Sequence, residues 1–175
     1  DMDDGIRSGI LEPSAVKKLE ISQRVLHSLG EDNRADLSQA MMRHRFVRRL
    51  VGMEISDTIQ ATEDNIKAAG IRTLDDLRNQ PGNVANYSAE MQELNSELKQ
   101  YLFKNFYRHF RVVRMATKAE RLIRALFDAY IEQPLQLPLE TQKRAEDHAE
   151  GLHRAVCDYI AGMTDRYAIQ EYKRL

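Results

Sequence analysis

Cysteine occurs once in these 175 residues, at Cys157. That excludes an internal disulfide and any zinc site built on paired cysteines, and it agrees with a reducing compartment. Proline (4) and glycine (8) are also sparse, while 30% of residues are charged. This balance favours helices over a turn-rich or disordered chain. No apolar run approaches the roughly 20 residues of a membrane span, and no secretory signal is visible. No membrane partner is expected, and the cytoplasm is the expected location. Strong charge of one sign is missing too: the net charge is −1, so any contact with phosphates must come from a local cluster. There is no Gly-rich phosphate loop, no convincing Ser-His-Asp set, no repeat and no low-complexity tract.

What is present is helical periodicity. Pro13 or Ser14 starts a helix whose apolar side is Val16, Leu19, Val25, Leu26 and Leu29, with Gly30 as its stop. A long helix is expected from about Asp36 to Ala69, packed along its length by Met42, Phe46, Leu50 and Met53. Thr73, with Asp75 and Asp76, caps a short piece through Arg78, and residues 79–83 read as a loop. Ser88 begins a helix with Met91, Leu94, Leu98, Tyr101, Leu102 and Phe106 on one side. Ala119, Leu122, Ile123, Leu126, Phe127 and Tyr130 mark another, stopped before Pro134. An extended connector bracketed by Pro134 and Pro138 leads into a last long helix. Its stripe is Ala145, Ala149, Leu152, Val156, Tyr159, Ile160 and Met163. Cys157 sits on that stripe and is expected to be a small core residue. Gly162 suits the helix end and Thr164 the cap of a short closing helix. The fold class is therefore all-α: a multi-helix bundle with one long central helix and a short C-terminal latch helix. Residues 1–175 are expected to form a single helical domain. The chain opens at Asp1, without Met and inside an apparent helix, and so reads as a piece of a longer protein.

The densest positive cluster is Arg43-His44-Arg45-Phe46-Val47-Arg48-Arg49. Arg45, Arg48 and Arg49 share one helix face. Arginine stays charged and donates paired hydrogen bonds to phosphate oxygens. The same face can equally be solvated and paired with carboxylates, and both readings stand. Aromatics alternate with arginine between Tyr107 and Met115, as on single-strand nucleic-acid platforms, but no sheet is expected to present them.

Three stretches carry a family resemblance. Asp158-Tyr159-Ile160-Ala161-Gly162-Met163-Thr164-Asp165, followed by Tyr167, Ala168 and Tyr172, closely resembles the C-terminal signature of the bacterial deoxyguanosinetriphosphate triphosphohydrolases of the HD superfamily. The acidic, Gly-containing opening from Asp1 to Leu11 and the stretch from Tyr107 to Met115 are similar to family segments as well. The resemblance implies hydrolysis of a dNTP such as dGTP to the deoxynucleoside and tripolyphosphate. It implies a divalent metal, Mg²⁺ or Mn²⁺, bound by His, His-Asp and Asp ligands. The chain has no His-Asp doublet, and its five histidines are scattered, with His148 and His153 off the i, i+4 spacing. By the family pattern the metal ligands would precede Asp1, so no catalytic or metal-ligating residue is assigned here. The residue matching Asp1 is implied to contact the deoxyribose, and the region of Arg45, Arg48 and Arg49 to lie near the nucleotide. The fragment alone is expected to be inactive, supplying pocket walls and homo-oligomer contacts. The alternative is a non-catalytic helical oligomerisation or regulatory module. A third reading is nucleic-acid binding by the basic face.

Overall fold

The structure is a computed structural model that describes residues 1–31, 34–147 and 151–175. Asp32, Asn33, His148, Ala149 and Glu150 lie outside the described residues, and with them part of the expected last-helix stripe. Among the described residues there is no strand, and the fold is all-α. The chain divides into two compact units, Asp1–His109 and Phe110–Leu175.

The first unit holds α1 (Met2–Arg7), α2 (Pro13–Val16), α3 (Glu20–Ser28), α4 (Ala40–Ala68), α5 (Leu74–Arg78) and α6 (Ala89–Leu102). A π-helical turn, Phe103–Tyr107, follows α6. Its core gathers Ile21, Val25 and Leu26 from α3, Phe46 and Leu50 from α4, and Leu94 and Leu98 from α6. The expected helix after Pro13 is two helices. Leu19 is extended and buried between them, and the Glu97 carboxylate accepts from the Glu20 amide at 3.0 Å, capping the second. The long helix starts four residues later than expected. Asp36 is instead the head of a turn, its Oδ1 accepting from the Ser38 amide (2.9 Å) and hydroxyl (2.6 Å). Those bonds hold its carboxyl below the usual range.

The expected α4 stripe faces the core, with Phe46 and Leu50 in it and Met42 and Met53 packed against it. The helix is not packed along its whole length, however, since Ile55, Ile59 and Ile66 beyond Met53 are exposed. Only Arg43, Phe46 and Leu50 are buried in it, and Val51 is exposed as well. A periodic apolar stripe looks the same in sequence whether or not something covers it. Two local expectations hold in detail. Thr73 forms a reciprocal capping box with Asp76, and the Ser88 hydroxyl accepts from the Met91 amide at the start of α6.

The second unit holds α7 (Phe110–Glu132), a 3₁₀ turn (Pro134–Gln136), α8 (Leu139–Asp147), α9 (Gly151–Ala161) and α10 (Asp165–Arg174). The presumed extended connector is thus partly 3₁₀. The last long helix is likewise two helices, with Gly151 in the left-handed region at φ 67°, where a side chain is strained. Asp158 ties α8 to α9, accepting from Arg144 (3.4 Å) and Arg154 (2.9 Å). Leu126, Tyr130, Leu137 and Val156 form this unit's core. Cys157 is exposed rather than part of it: the face that α9 buries passes through its neighbours Ala155 and Val156.

Candidate functional site

Two of the stretches singled out in the sequence meet in the first unit. Asp1, the N-cap position of α1, accepts through Oδ2 a hydrogen bond from the Tyr107 hydroxyl at the end of the π-helical turn. Two residues on, Asp3 accepts from Arg43 Nε at 2.7 Å, and Arg43 Nη1 reaches the Ser38 carbonyl at 3.0 Å. Arg43 is 6% exposed. A buried guanidinium needs this paired geometry, since an unpaired one would be costly. The result is a clamp that fixes α1 against α4. Close packing helps: a Cβ on Gly5 would fall 2.5 Å from Leu11 Cδ1, so α1 sits directly on that side chain.

The three arginines chosen from sequence share a face of α4, but not the face that holds α1. At about 100° per residue, Arg45 lies roughly 200° around the helix from Arg43. Arg45 Nη1 approaches Glu31 Oε1 at 3.3 Å, and Arg49 Nε donates to Ser28 Oγ at 2.8 Å. Ser28 in turn donates to the Val25 carbonyl. All three arginines are exposed, and Arg48 makes no ion pair with a described residue. The sequence cluster is thus split: Arg43 is an internal strut, while Arg45, Arg48 and Arg49 look outward beside α3. Tyr107 and Arg43 are the residues that sequence reasoning left without a role. Their partners lie 106 and 40 residues away, and no local spacing reveals such pairs.

The C-terminal signature builds a latch in the second unit. Gly162 closes α9, its amide donating to the Asp158 carbonyl at 3.0 Å. Thr164 Oγ1 then accepts from the Tyr167 amide at 3.3 Å to start α10. The Tyr130 hydroxyl of α7 donates to Glu171 of α10 at 3.1 Å, and the Tyr159 and Tyr167 hydroxyls pair at 3.1 Å. Tyr130 and Tyr159 meet edge to face with centroids 5.6 Å apart. Burial, reinforced by the Glu171 carboxylate, pushes the Tyr130 hydroxyl up to about 12. Burial and the Tyr167 bond raise Tyr159 as well. These tyrosines stay protonated at neutral pH and act as struts.

A metal centre is a different matter. Among the described residues no group of three His, Cys, Asp or Glu side chains converges to hold a metal ion. The donor set of the described residues does not fit one.

The family model for the phosphohydrolase-associated domain matches residues 85–174, which takes in α6 and all of the second unit except Leu175. The chain belongs to that family. The phosphohydrolase-associated chain also aligns over its full length with proteins named deoxyguanosinetriphosphate triphosphohydrolase-like. It is 39% identical to the one from Geobacter sulfurreducens and covers 45% of it. It is 35% identical to the one from Nitrosomonas europaea, covering 46%, and 38% identical to the one from Bordetella pertussis, covering 44%. The resemblance read from Asp158 to Tyr172 is borne out. The chain spans less than half the length of these curated relatives. No helix among the described residues is long and apolar enough to cross a membrane.

Proposed function

We propose that the phosphohydrolase-associated chain is the C-terminal portion of a dGTPase-like hydrolase that converts a dNTP to the deoxynucleoside and tripolyphosphate. The alignment of the whole chain with relatives bearing that name carries this reading. In it, the Mg²⁺ or Mn²⁺ ligands lie outside these residues, and this chain supplies substrate-pocket walls and subunit contacts. The Tyr107 bond holds one oxygen of Asp1 and leaves the other to accept from a sugar hydroxyl. The Arg43–Asp3 clamp sets where α1 presents it. Arg45, Arg48 and Arg49 offer guanidinium donors to phosphate oxygens. Arg48 carries least competition for that task. Replacing Arg48 or Arg45 by alanine in the full-length protein should lower kcat/KM by roughly tenfold, the value of one charged hydrogen bond, with melting unchanged. Loss of folding without a kinetic defect would assign these residues a structural role.

One observation favours an assembly role alongside this. Val51, Ile55, Ile59 and Ile66 line one side of α4 and are exposed, a stripe suited to a second copy in a homo-oligomer. Sedimentation of Ile55→Glu with Ile59→Glu tests it. A smaller species than the parent chain is expected, and an unchanged one would remove the reading.

A further inference from the structure

The winding of the chain changes at the end of α6. Phe103–Tyr107 form a π-helical turn, closed by the Arg108 amide donating five residues back to the Phe103 carbonyl at 3.2 Å. Such a turn holds one residue more than an α-turn, and single π-turns set within α-helices are frequent at functional sites. Asn105 lies at its centre and is exposed, and its side-chain amide donates to the Tyr101 carbonyl at 2.9 Å. In an α-helix that carbonyl belongs to the backbone amide of residue 105. A side-chain donor at the same carbonyl competes with that amide and favours the wider winding. The turn rests on α1 at two points. Phe106 Cδ2 lies 3.2 Å from where a Cβ of Gly5 would be, and the Tyr107 hydroxyl donates to Asp1. Gly5 and Asp1 are themselves joined, amide to carbonyl, at 2.8 Å. With α winding through the turn, each later side chain would move on by one residue's step, about 100° around the axis and 1.5 Å along it. Tyr107 would then leave Asp1.

We propose that Asn105 is a positioning residue for the Asp1 carboxylate, holding the π winding that brings Tyr107 to it. The consequence for turnover rests on the reading above, in which the free oxygen of Asp1 accepts from a sugar hydroxyl. Tyr107 fixes one carboxylate oxygen and thereby the direction of the other. Phe106, set against Gly5, fixes the distance between the turn and α1, and its ring centroid lies 5.5 Å from that of Tyr107. The bond that Asn105 makes is to Tyr101, so it acts on Asp1 through the winding.

Two measurements on the full-length protein test this. In the first, the protein is labelled with 3-fluorotyrosine, and the Tyr107 fluorine resonance is identified by its loss in Tyr107→Phe. Asp1→Ala should move that resonance in the parent protein and leave it in place in an Asn105→Leu background. Asn105→Ser, whose hydroxyl can bond the carbonyl four residues back, should restore the response. In the second, turnover of a dNTP is compared with that of its dideoxy analogue, which lacks the free sugar hydroxyl. Asn105→Leu should narrow the preference for the dNTP about tenfold, the worth of one charged hydrogen bond, and Asn105→Ser should keep it. A Tyr107 resonance that ignores Asp1→Ala in the parent protein, or that responds equally in Asn105→Leu, would overturn the proposal. So would a preference narrowed by Asp1→Ala and untouched by Asn105→Leu. A preference untouched by Asp1→Ala would refute the sugar reading instead, and the fluorine response then decides the role of Asn105 by itself. Circular dichroism of each variant establishes that the helices remain formed.

Discussion

Removing the guanidinium of Arg43 is the perturbation with the most clearly worked consequence. Arg43 makes two charge-assisted hydrogen bonds, to Asp3 at 2.7 Å and to the Ser38 carbonyl at 3.0 Å, from a side chain that is 7% exposed. Substitution by methionine keeps most of the aliphatic stem and removes both bonds. Breaking a fully buried pair costs about 3–5 kcal/mol. Asp3 is 31% exposed, so water can recover part of its solvation, and roughly 2–3 kcal/mol is the reasonable expectation. For a chain of this size that corresponds to a fall in Tm of roughly 5–10 °C. A urea-melt cycle with Arg43→Met, Asp3→Asn and the double variant isolates the pair, with coupling of about 1–2 kcal/mol expected. The coupling should change little with added salt, because the guanidinium is buried. Coupling below about 0.5 kcal/mol, the level of an ordinary exposed ion pair, would refute the idea that this clamp holds α1.

Gly5→Ala should also destabilise, by about 1–3 kcal/mol. The new Cβ would meet Leu11 at 2.5 and 2.7 Å, and Leu11 is too deeply buried to swing aside; a thermal melt unchanged from the parent would contradict the close packing. In the second unit, Tyr130 should ionise late in an alkaline spectrophotometric titration, near pH 12, and Tyr159 later than an ordinary tyrosine. Since the folded pKa of Tyr130 is raised, its contribution to stability is intact below about pH 10, the unfolded value, and is lost as pH climbs through the folded one. A Tyr130→Phe variant should therefore show a shallower loss of stability over that window. An identical alkaline limb would contradict the latch geometry.

The sequence was most legible where structure is written locally. Thr73 with Asp76, Ser88 with Met91, and Gly162 followed by Thr164 each encode a helix boundary within a few residues, and each boundary is where the spacing put it. The break at Leu19 was not visible, because its apolar residues keep helical spacing across it while the capping carboxylate comes from Glu97. The expectation that α4 is packed along its length failed beyond Met53, because periodicity shows that a stripe exists, not how far it is covered. Cys157 followed the same error by about 100° of helix rotation. The Asp1–Tyr107 and Asp3–Arg43 contacts needed the fold itself.

The most direct measurement is product analysis with dGTP and the other dNTPs in the presence of Mg²⁺ or Mn²⁺, comparing these 175 residues with the full-length protein. Deoxynucleoside and tripolyphosphate from the full-length protein, and neither from the phosphohydrolase-associated chain alone, is the expected result. Turnover by the chain alone would contradict it, because the described residues offer no converging metal-ligand set from which to build that chemistry.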